Sequence, residues 1–215
     1  MQFKFFNPHG AARVTHNRLP HWQQDGALYF VTFHLADSIP AEVQARLQLD
    51  TEKWLARHPE PHSPETEHEY RTHILSKMEA ALEEGHGSCA LRAPECSEIV
   101  ANAIRHFDGD RLDVMAFIVM PNHVHTAIIP REGWHLEQII QSWKQWTAKR
   151  INTITAASGA LWQTDYFDTI LRDREHLGRV LRYIRNNPVK AHLRPREYAL
   201  YESDYAIHFL GAGIS

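Results

Sequence analysis

The chain has 215 residues, of which 43% are hydrophobic and 23% are charged, and this is enough apolar material to bury one core. Its longest apolar runs are too short to span a bilayer, and residues 1–10 lack the basic-then-apolar pattern of a signal peptide. The two cysteines, Cys89 and Cys96, lack metal-site spacing and are too few for a disulfide scaffold. We therefore expect one cytoplasmic domain over residues 1–215 that does not enter a membrane.

The net charge of −3 conceals a division along the chain. Residues 41–120 carry 8 basic and 15 acidic side chains, whereas residues 121–200 carry 12 basic and 7 acidic ones. A polyanion, if one binds, should meet the second half. The alternative is that both halves carry ordinary solvated helix faces.

The first half of the chain predicts one strand and three helices. Residues 28–35 are rich in aromatic and β-branched side chains and predict a strand. Two acidic helical patterns follow, at 41–58 and 66–84, and we interpret residues 40–85 as a helical insertion. Pro94 then opens a third helix.

The second half predicts a hairpin, a helix, a strand and a last helix. Apolar runs at 112–119 and 123–129 are separated only by a Met-Pro-Asn turn, which indicates an antiparallel hairpin. A long helical pattern covers 134–152, and 166–171 is a short strand. Asp173 can cap a final helix that we expect to end at Asn187-Pro188.

With the insertion set aside, the order is strand, helix, strand, strand, helix, strand and helix. This order predicts an α+β fold, with a ferredoxin-like split βαβ core, an antiparallel sheet and a C-terminal helix that carries Tyr183. Such a scaffold hosts many activities, so the function must be argued from the site.

The triplet His123-Val124-His125 is the first candidate site. Residues i and i+2 of a strand point the same way, about 7 Å apart, so two imidazoles could share one metal ion. With 16 histidines, about one such triplet is expected by chance. Hydrogen-bonded histidines in a half-exposed strand therefore remain the alternative.

A second candidate lies on the last helix. Tyr183 and Asn187 are four residues apart and share one face, where they offer a phenol and an amide together. The alternatives are structural: the Tyr183 ring could simply pack against the fold, and Asn187 could simply end the helix.

These segments together resemble one family. The runs MPNHVHTAI, LRYIRNNPVKAHL, LPHW, YFVTFHLADSIP, GHGSCALR and WKQWTAKRIN are similar to those of the REP-associated tyrosine transposases, which belong to the HUH single-tyrosine group. The resemblance covers about residues 17–195, and the ordered combination is more specific than any single motif.

The resemblance implies metal-dependent nicking and strand transfer of single-stranded DNA at hairpin, repetitive palindromic sequences, through a 5′-phosphotyrosine intermediate. By position, His123 and His125 match the metal pair and Tyr183 matches the nucleophile. Asn187 stands where the group places a polar metal ligand, often Gln, and because Asn is shorter a water could stand between it and the ion. Such ligands suit Mg²⁺ or Mn²⁺, and no nucleotide cofactor is expected.

The DNA partner implied by the resemblance is a single-stranded hairpin. Basic side chains could follow its phosphates, while Trp143 and Trp146 could stack on unpaired bases. Helix packing and solvated charges are the alternative. The predicted DNA-binding residues are Lys144, Lys149, Arg150, Arg172, Arg179, Arg182, Arg185 and Trp143.

Two further expectations concern His34 and assembly. The family usually carries Arg at the position of His34, so this imidazole is either buried and hydrogen-bonded or a third nitrogen near the ion. The short link 165–173 before the tyrosine helix favours a site completed within one chain, and a monomer.

Two other functions would use the same residues. One is a hairpin-DNA-binding regulator that has lost catalysis, and the other is a metal-dependent nuclease without a covalent intermediate. Substitution of Tyr183 by Phe separates them, because only the transposase would lose a cleavage activity through that change.

Overall fold

A computed structural model describes residues 2–16, 20–58 and 64–212. Its strands are β1 Arg13–His16, β2 Pro20–Gln23, β3 Tyr29–His34, β4 Leu112–Val119, β5 His123–Pro130, β6 Phe167–Ile170 and β7 Ala199–Glu202. Its helices are α1 Ala41–Arg57, α2 Pro64–Glu83, α3 Pro94–His106, α4 Leu136–Thr155, α5 Arg174–Lys190 and α6 Asp204–Gly211, with a 3₁₀ turn at Ala90–Arg92. No described helix is both long and apolar enough to cross a bilayer.

Five strands form one antiparallel sheet in the order β6-β3-β5-β4-β7, and β1 and β2 form a separate hairpin. Along the chain, β3, α3, β4, β5, α4 and β6 follow the split βαβ order once α1 and α2 are set aside. The predicted α+β class with an antiparallel sheet is confirmed.

The two faces of the sheet carry different helices. Tyr29, Val31 and Phe33 of β3 point to a core shared with α3 and α4. Phe30 points to the opposite core, which is shared with α5 and α6. This alternation follows from the two-residue period of a strand. Helix α5, which bears the tyrosine, therefore lies on one definite face, called here the α5 face.

The two helices of the insertion form at the predicted places, and residues 59–63 between them lie outside the described residues. The C-terminal end of α2 is attached to the rest of the fold. Asn122 Nδ2, in the β4–β5 turn, donates to Leu82 O at 3.1 Å, and Lys190 of α5 pairs with Glu83 at 2.6 Å.

The glycine in the GHGS run has a structural reason. Gly87 has a φ of +87°, and a Cβ there would lie 2.5 Å from Asp37 O. Asp37 Oδ2 also accepts from Ser88 N at 2.7 Å. Only glycine permits this close approach.

The structure adds elements that the periodicity did not predict and lengthens another. Strands β1, β2 and β7 have four residues each, too few to establish an alternation, and α6 follows β7 after a single residue. Helix α5 does not end at Asn187-Pro188 as predicted but continues to Lys190. Pro188 lacks the N–H that would donate to the Ile184 carbonyl, so this one helical bond is absent while the helix continues for two more residues.

Candidate active site

The His123-x-His125 pair lies at the start of β5, on the α5 face. His123 is the cross-strand partner of His34, and His125 is the partner of Thr32, so the four side chains share one face. Both imidazoles of the pair are buried, and their ring centroids are 4.6 Å apart. The structure therefore brings the predicted metal pair together in a dry environment.

A hydrogen bond fixes each ring through its Nδ1 atom. His123 Nδ1 donates to Asn122 Oδ1 at 2.7 Å, because the Asn122 amide nitrogen is already directed to the Leu82 carbonyl. His125 Nδ1 lies 2.7 Å from Thr32 Oγ1. Such partners hold a ring in the tautomer whose Nε2 carries a lone pair.

Tyr183 of α5 reaches this pair. Its hydroxyl lies 3.3 Å from His125 Nε2, and its ring meets the His125 ring edge-on, with 5.0 Å between centroids. Phe30 stacks on the other side of His125 at 5.4 Å and meets Tyr183 edge-on. The predicted nucleophile and the predicted metal pair are therefore neighbours within one chain.

Burial keeps both imidazoles neutral. It lowers the pKa of His123 to about 3, with a further contribution from His34. It also lowers the pKa of His125 well below its ordinary value, assisted by His123. Neutral imidazole is the form that binds a metal ion.

The same burial keeps Tyr183 protonated. Burial raises its pKa, the charges of Glu79 and Glu83 raise it further, and Asn187 opposes the shift. Glu79 lies on α2, where burial first and Glu83 second raise its pKa to about 7, against the effect of Lys190. A carboxyl group that titrates near neutral pH thus stands in the electrostatic neighbourhood of the tyrosine.

The available donor atoms fit a metal ion with few protein ligands. His123 Nε2 and Asn187 Nδ2 are buried and lack a hydrogen-bond partner. A half-turn of the Asn187 amide exchanges Nδ2 for Oδ1 and would present an oxygen ligand. The site has only two histidines and one asparagine. Among the described residues, no group of three or more His, Cys, Asp or Glu side chains is placed to hold a metal ion.

A basic cleft of about 250 Å³ opens at Tyr183. It is lined by Arg179, Arg182, Tyr183, Asn186, Asn187 and Lys190. Arg182 is exposed, while Arg179 pairs with Glu175 at 2.6 Å and Lys190 pairs with Glu83. Two of the predicted DNA-binding arginines therefore share a cleft with the tyrosine.

The other predicted basic residues of this half lie outside that cleft. Arg185 pairs with Glu202 at 2.8 Å, and Arg172 lies over the Phe6 ring at 6.0 Å. Neither residue lines the cavity at Tyr183.

Helix α4 packs on the face opposite α5, so its basic residues form a second group. Lys149 and Arg150 are exposed, and the Arg150 guanidinium lies 4.6 Å from the centroid of Trp146, which is 42% exposed. The predicted DNA-binding residues are thus divided between two faces of the sheet.

Two residues of α4 occupy positions that do not suit DNA contact. Trp143 is 2% exposed and packs beside Phe33, so it belongs to the core, and its prediction as a DNA-binding residue was wrong. Lys144 Nζ donates to the carbonyls of Gln163, Thr164 and Asp165 at 2.7–3.2 Å. Burial lowers the pKa of Lys144 to about 8, against the effect of Asp165.

His34 is buried and hydrogen-bonded, as the simpler of its two interpretations predicted. Its Nδ1 lies 2.9 Å from Leu35 O and 2.7 Å from Ser38 Oγ. Burial, together with Lys144, lowers its pKa to about 4.

Several important partners were missed from the sequence. Thr32 interrupts an apolar strand, and Asn122 directly precedes the histidine pair, so both left a weak signal. The contacts of His21 left no signal in the sequence. His21 is buried between Asp168 Oδ1 at 2.5 Å and Asp165 Oδ1 at 3.1 Å, and both aspartates lie more than 140 positions from it in the chain.

Comparisons with known proteins agree with this picture at family level. Residues 89–187 match the family model for IS200-like transposases, which confirms the resemblance at that level. No curated protein matches the chain.

Two solved structures are similar to the chain. One is a REP-associated tyrosine transposase bound to a REP hairpin, with 15% identity, a TM-score of 0.43, and coverage of 81% of this chain and 74% of that one. The other is a putative transposase from Deinococcus radiodurans, with 14% identity, a TM-score of 0.33, and coverage of 74% and 88% respectively.

Proposed function

We propose that the protein nicks and rejoins single-stranded DNA at hairpins through Tyr183, and the match of residues 89–187 to the IS200-like transposase model supports this proposal. The hairpin substrate follows from the motif resemblance. One observation carries the proposal: Tyr183 Oη lies 3.3 Å from His125 Nε2, beside a second buried imidazole with an unpartnered nitrogen.

The proposed reaction conserves a phosphodiester at each step. Tyr183 Oη attacks the phosphorus, the bond to the 3′ oxygen breaks, and that oxygen leaves with a proton as a 3′ hydroxyl. The 5′ phosphate remains as an ester of Tyr183. A second 3′ hydroxyl can then attack the ester and release the phenol, so the strand is rejoined without an external energy source.

Tyr183 must lose its proton to react, and burial makes this costly. The Nε2 lone pair of His125 cannot accept the Tyr183 proton and bind an ion at the same time. We propose Glu79 as the proton acceptor through a water, because burial and Glu83 raise its pKa to about 7 and its charge acts on Tyr183. Glu79→Gln should then slow cleavage about 100-fold or more while hairpin binding persists.

His123, His125 and Asn187 are the residues that would hold Mg²⁺ or Mn²⁺, with Asn187 binding directly or through a water. When bound, the ion would neutralise charge on the scissile phosphate. The protein prepares this role by keeping both rings neutral and fixing them through Asn122 and Thr32.

The cleft at Tyr183 is suited to the scissile segment, since Arg182 is exposed there and Arg179 lies one turn away. We propose that Arg172 and Arg185 extend this basic surface, while Lys149, Arg150 and Trp146 contact another part of the hairpin on the α4 face. Lys144 donates hydrogen bonds to three backbone carbonyls of residues 163–165, so we propose that it positions the segment before the tyrosine helix.

Because the tyrosine and histidines meet within one chain, we propose a complete site in each monomer. We also propose that residues 1–215 form one transposase-like domain, with the acidic helical insertion at residues 40–85.

The test uses a labelled hairpin taken from the repeats that flank the gene, incubated with protein and Mn²⁺ and resolved on a denaturing gel. A protein-linked band that requires Mn²⁺ and disappears in Tyr183→Phe would support the proposal. Cleavage that persists in Tyr183→Phe would favour a nuclease without a covalent intermediate. Tight binding with neither cleavage nor adduct would favour a regulator.

A further inference from the structure

A cavity of about 350 Å³ lies between α1 and the β6 edge of the sheet, and the chemistry above does not use it. Its volume is in the range of ligand sites in proteins. The lining residues that matter here are His34, Gln44, Gln48, Glu52, Gln163 and Phe167.

This cavity adjoins the candidate active site. His34 forms part of its wall, and His34 is the cross-strand partner of His123. Phe167 lies on the same face and stacks near His34, with 6.4 Å between centroids and 24° between planes. His34 therefore connects the wall of the cavity to the metal pair on the neighbouring strand.

The lining selects a flat, uncharged occupant with a polar edge. Most of the exposed lining is apolar, and Phe167 offers an aromatic face. The amides of Gln44, Gln48 and Gln163 can each donate and accept hydrogen bonds. The carboxylate of Glu52, which accepts from Gln48 Nε2 at 3.1 Å, would repel a phosphate.

We propose that this cavity binds one unpaired nucleobase of the strand that is cut at Tyr183. Unpaired bases are bound by stacking on apolar or aromatic side chains and by hydrogen bonds to their edges, and the lining provides both. A carboxylate accepts from an exocyclic amino group, so cytosine or adenine is preferred to thymine. The inference rests on the proposed function and gives helix α1 a role in base recognition.

The experiment fills the cavity and, separately, removes the base. Thr51 lines the cavity on α1, whereas Ala45 is exposed on the same helix outside it, so Thr51→Trp is compared with Ala45→Trp. The probe is a fluorescein-labelled hairpin with single-stranded flanks, taken from the repeats beside the gene. An abasic site is moved one position at a time along the flanks, and binding is measured by anisotropy without metal.

Thr51→Trp should weaken binding of the intact hairpin about 10-fold, and Ala45→Trp should not. An abasic site at one flank position should weaken native binding to the same extent. The two changes together should cost no more than either alone. Glu52→Gln, which keeps the side-chain shape but can also donate to a thymine carbonyl, should abolish the preference for cytosine over thymine at that position. Thermal melting verifies that each variant is folded.

The proposal is overturned if Thr51→Trp and Ala45→Trp bind alike, or if the losses from the tryptophan and the abasic site multiply. Formation of the Tyr183 adduct alongside either result would leave the proposed function standing. Absence of both hairpin binding and adduct in the native protein would overturn both proposals.

Discussion

The buried ion cluster around His21 gives a quantitative prediction about stability. His21 of β2 contacts Asp168 of β6 and Asp165 in the link before the tyrosine helix. Burial opposes the charge on His21, but its hydrogen bonds to Asp165 and Asp168, together with the charges of these carboxylates, outweigh burial and raise the pKa of His21 to about 9. The imidazolium therefore ties the N-terminal hairpin to the segment that positions α5.

The size of the effect follows from linkage. A folded-state pKa of about 9 against an ordinary value of 6.5 corresponds to roughly 3 kcal/mol of folding free energy. Because the folded pKa is the higher one, this stabilisation is complete below pH 6.5 and is lost as the pH rises through 9. Substitution of His21 by Gln should cost about 3–5 kcal/mol at pH 7, since it leaves two carboxylates facing each other without their cation.

The assay is urea unfolding of native protein and His21→Gln between pH 6 and 10. Lys144, with its pKa lowered to about 8, contributes in the opposite direction in the same range, so the difference between the two proteins is the quantity to follow. That difference should shrink as the pH rises. His208→Gln, at an exposed position of α6, is the control and should change stability by less than about 0.5 kcal/mol. A difference below about 0.5 kcal/mol at pH 7, or one that persists unchanged to pH 10, would refute the reasoning.

Three further predictions concern the site and the DNA surface. Thr32→Val removes the partner of His125 Nδ1 and should weaken Mn²⁺ binding about 10–100-fold by calorimetry; unchanged affinity would contradict the role of Thr32. Tyr183→Phe removes a hydrogen bond that competes for His125 Nε2 and should strengthen Mn²⁺ binding roughly 2–10-fold, whereas weaker binding would identify the phenol as a ligand. In hairpin titrations at several salt concentrations, Arg182→Ala should reduce the slope of log affinity against log salt concentration by about 1. Trp146→Ala should lower the affinity about 10-fold and leave that slope unchanged. The reverse pattern would reject these assignments.

The sequence predicted the regular core well because its strands and helices have clear periods and boundaries. The hairpin of β4 and β5 and the cap at Asp173 are examples: Asp173 Oδ1 accepts from His176 N at 2.7 Å. Strands β1, β2 and β7 were missed because four residues establish no alternation, whereas β6, which is equally short, was predicted at 166–171.

Side-chain environment was harder to predict than secondary structure. Trp143 and Trp146 lie three residues apart on α4, yet one is in the core and the other is exposed. The sequence offers each as a base-stacking residue, and only the packing of α4 on the sheet separates them. His21 contacts Asp165 and Asp168 only through tertiary packing, so no local sequence pattern could have indicated this cluster.

The candidate site was predictable in part. Spacing alone paired His123 with His125, but the proximity of Tyr183 to them depends on how α5 crosses the sheet, and the motif resemblance was needed to connect them. The contribution of α2, through Glu79 and the Leu82 carbonyl, could not be foreseen because nothing in the sequence relates this helix to the site.

The central claim is that Tyr183 becomes linked to a 5′ phosphate, and mass spectrometry tests it most directly. Native protein is incubated with Mn²⁺ and a hairpin, digested with nuclease and trypsin, and searched for the peptide Tyr183-Ile184-Arg185, which trypsin releases because arginine precedes and ends it. We predict this peptide with a nucleotide 5′ phosphate on the phenol, and its absence without Mn²⁺. A cut hairpin with the peptide entirely unmodified, or a nucleotide found on another residue, would contradict the account.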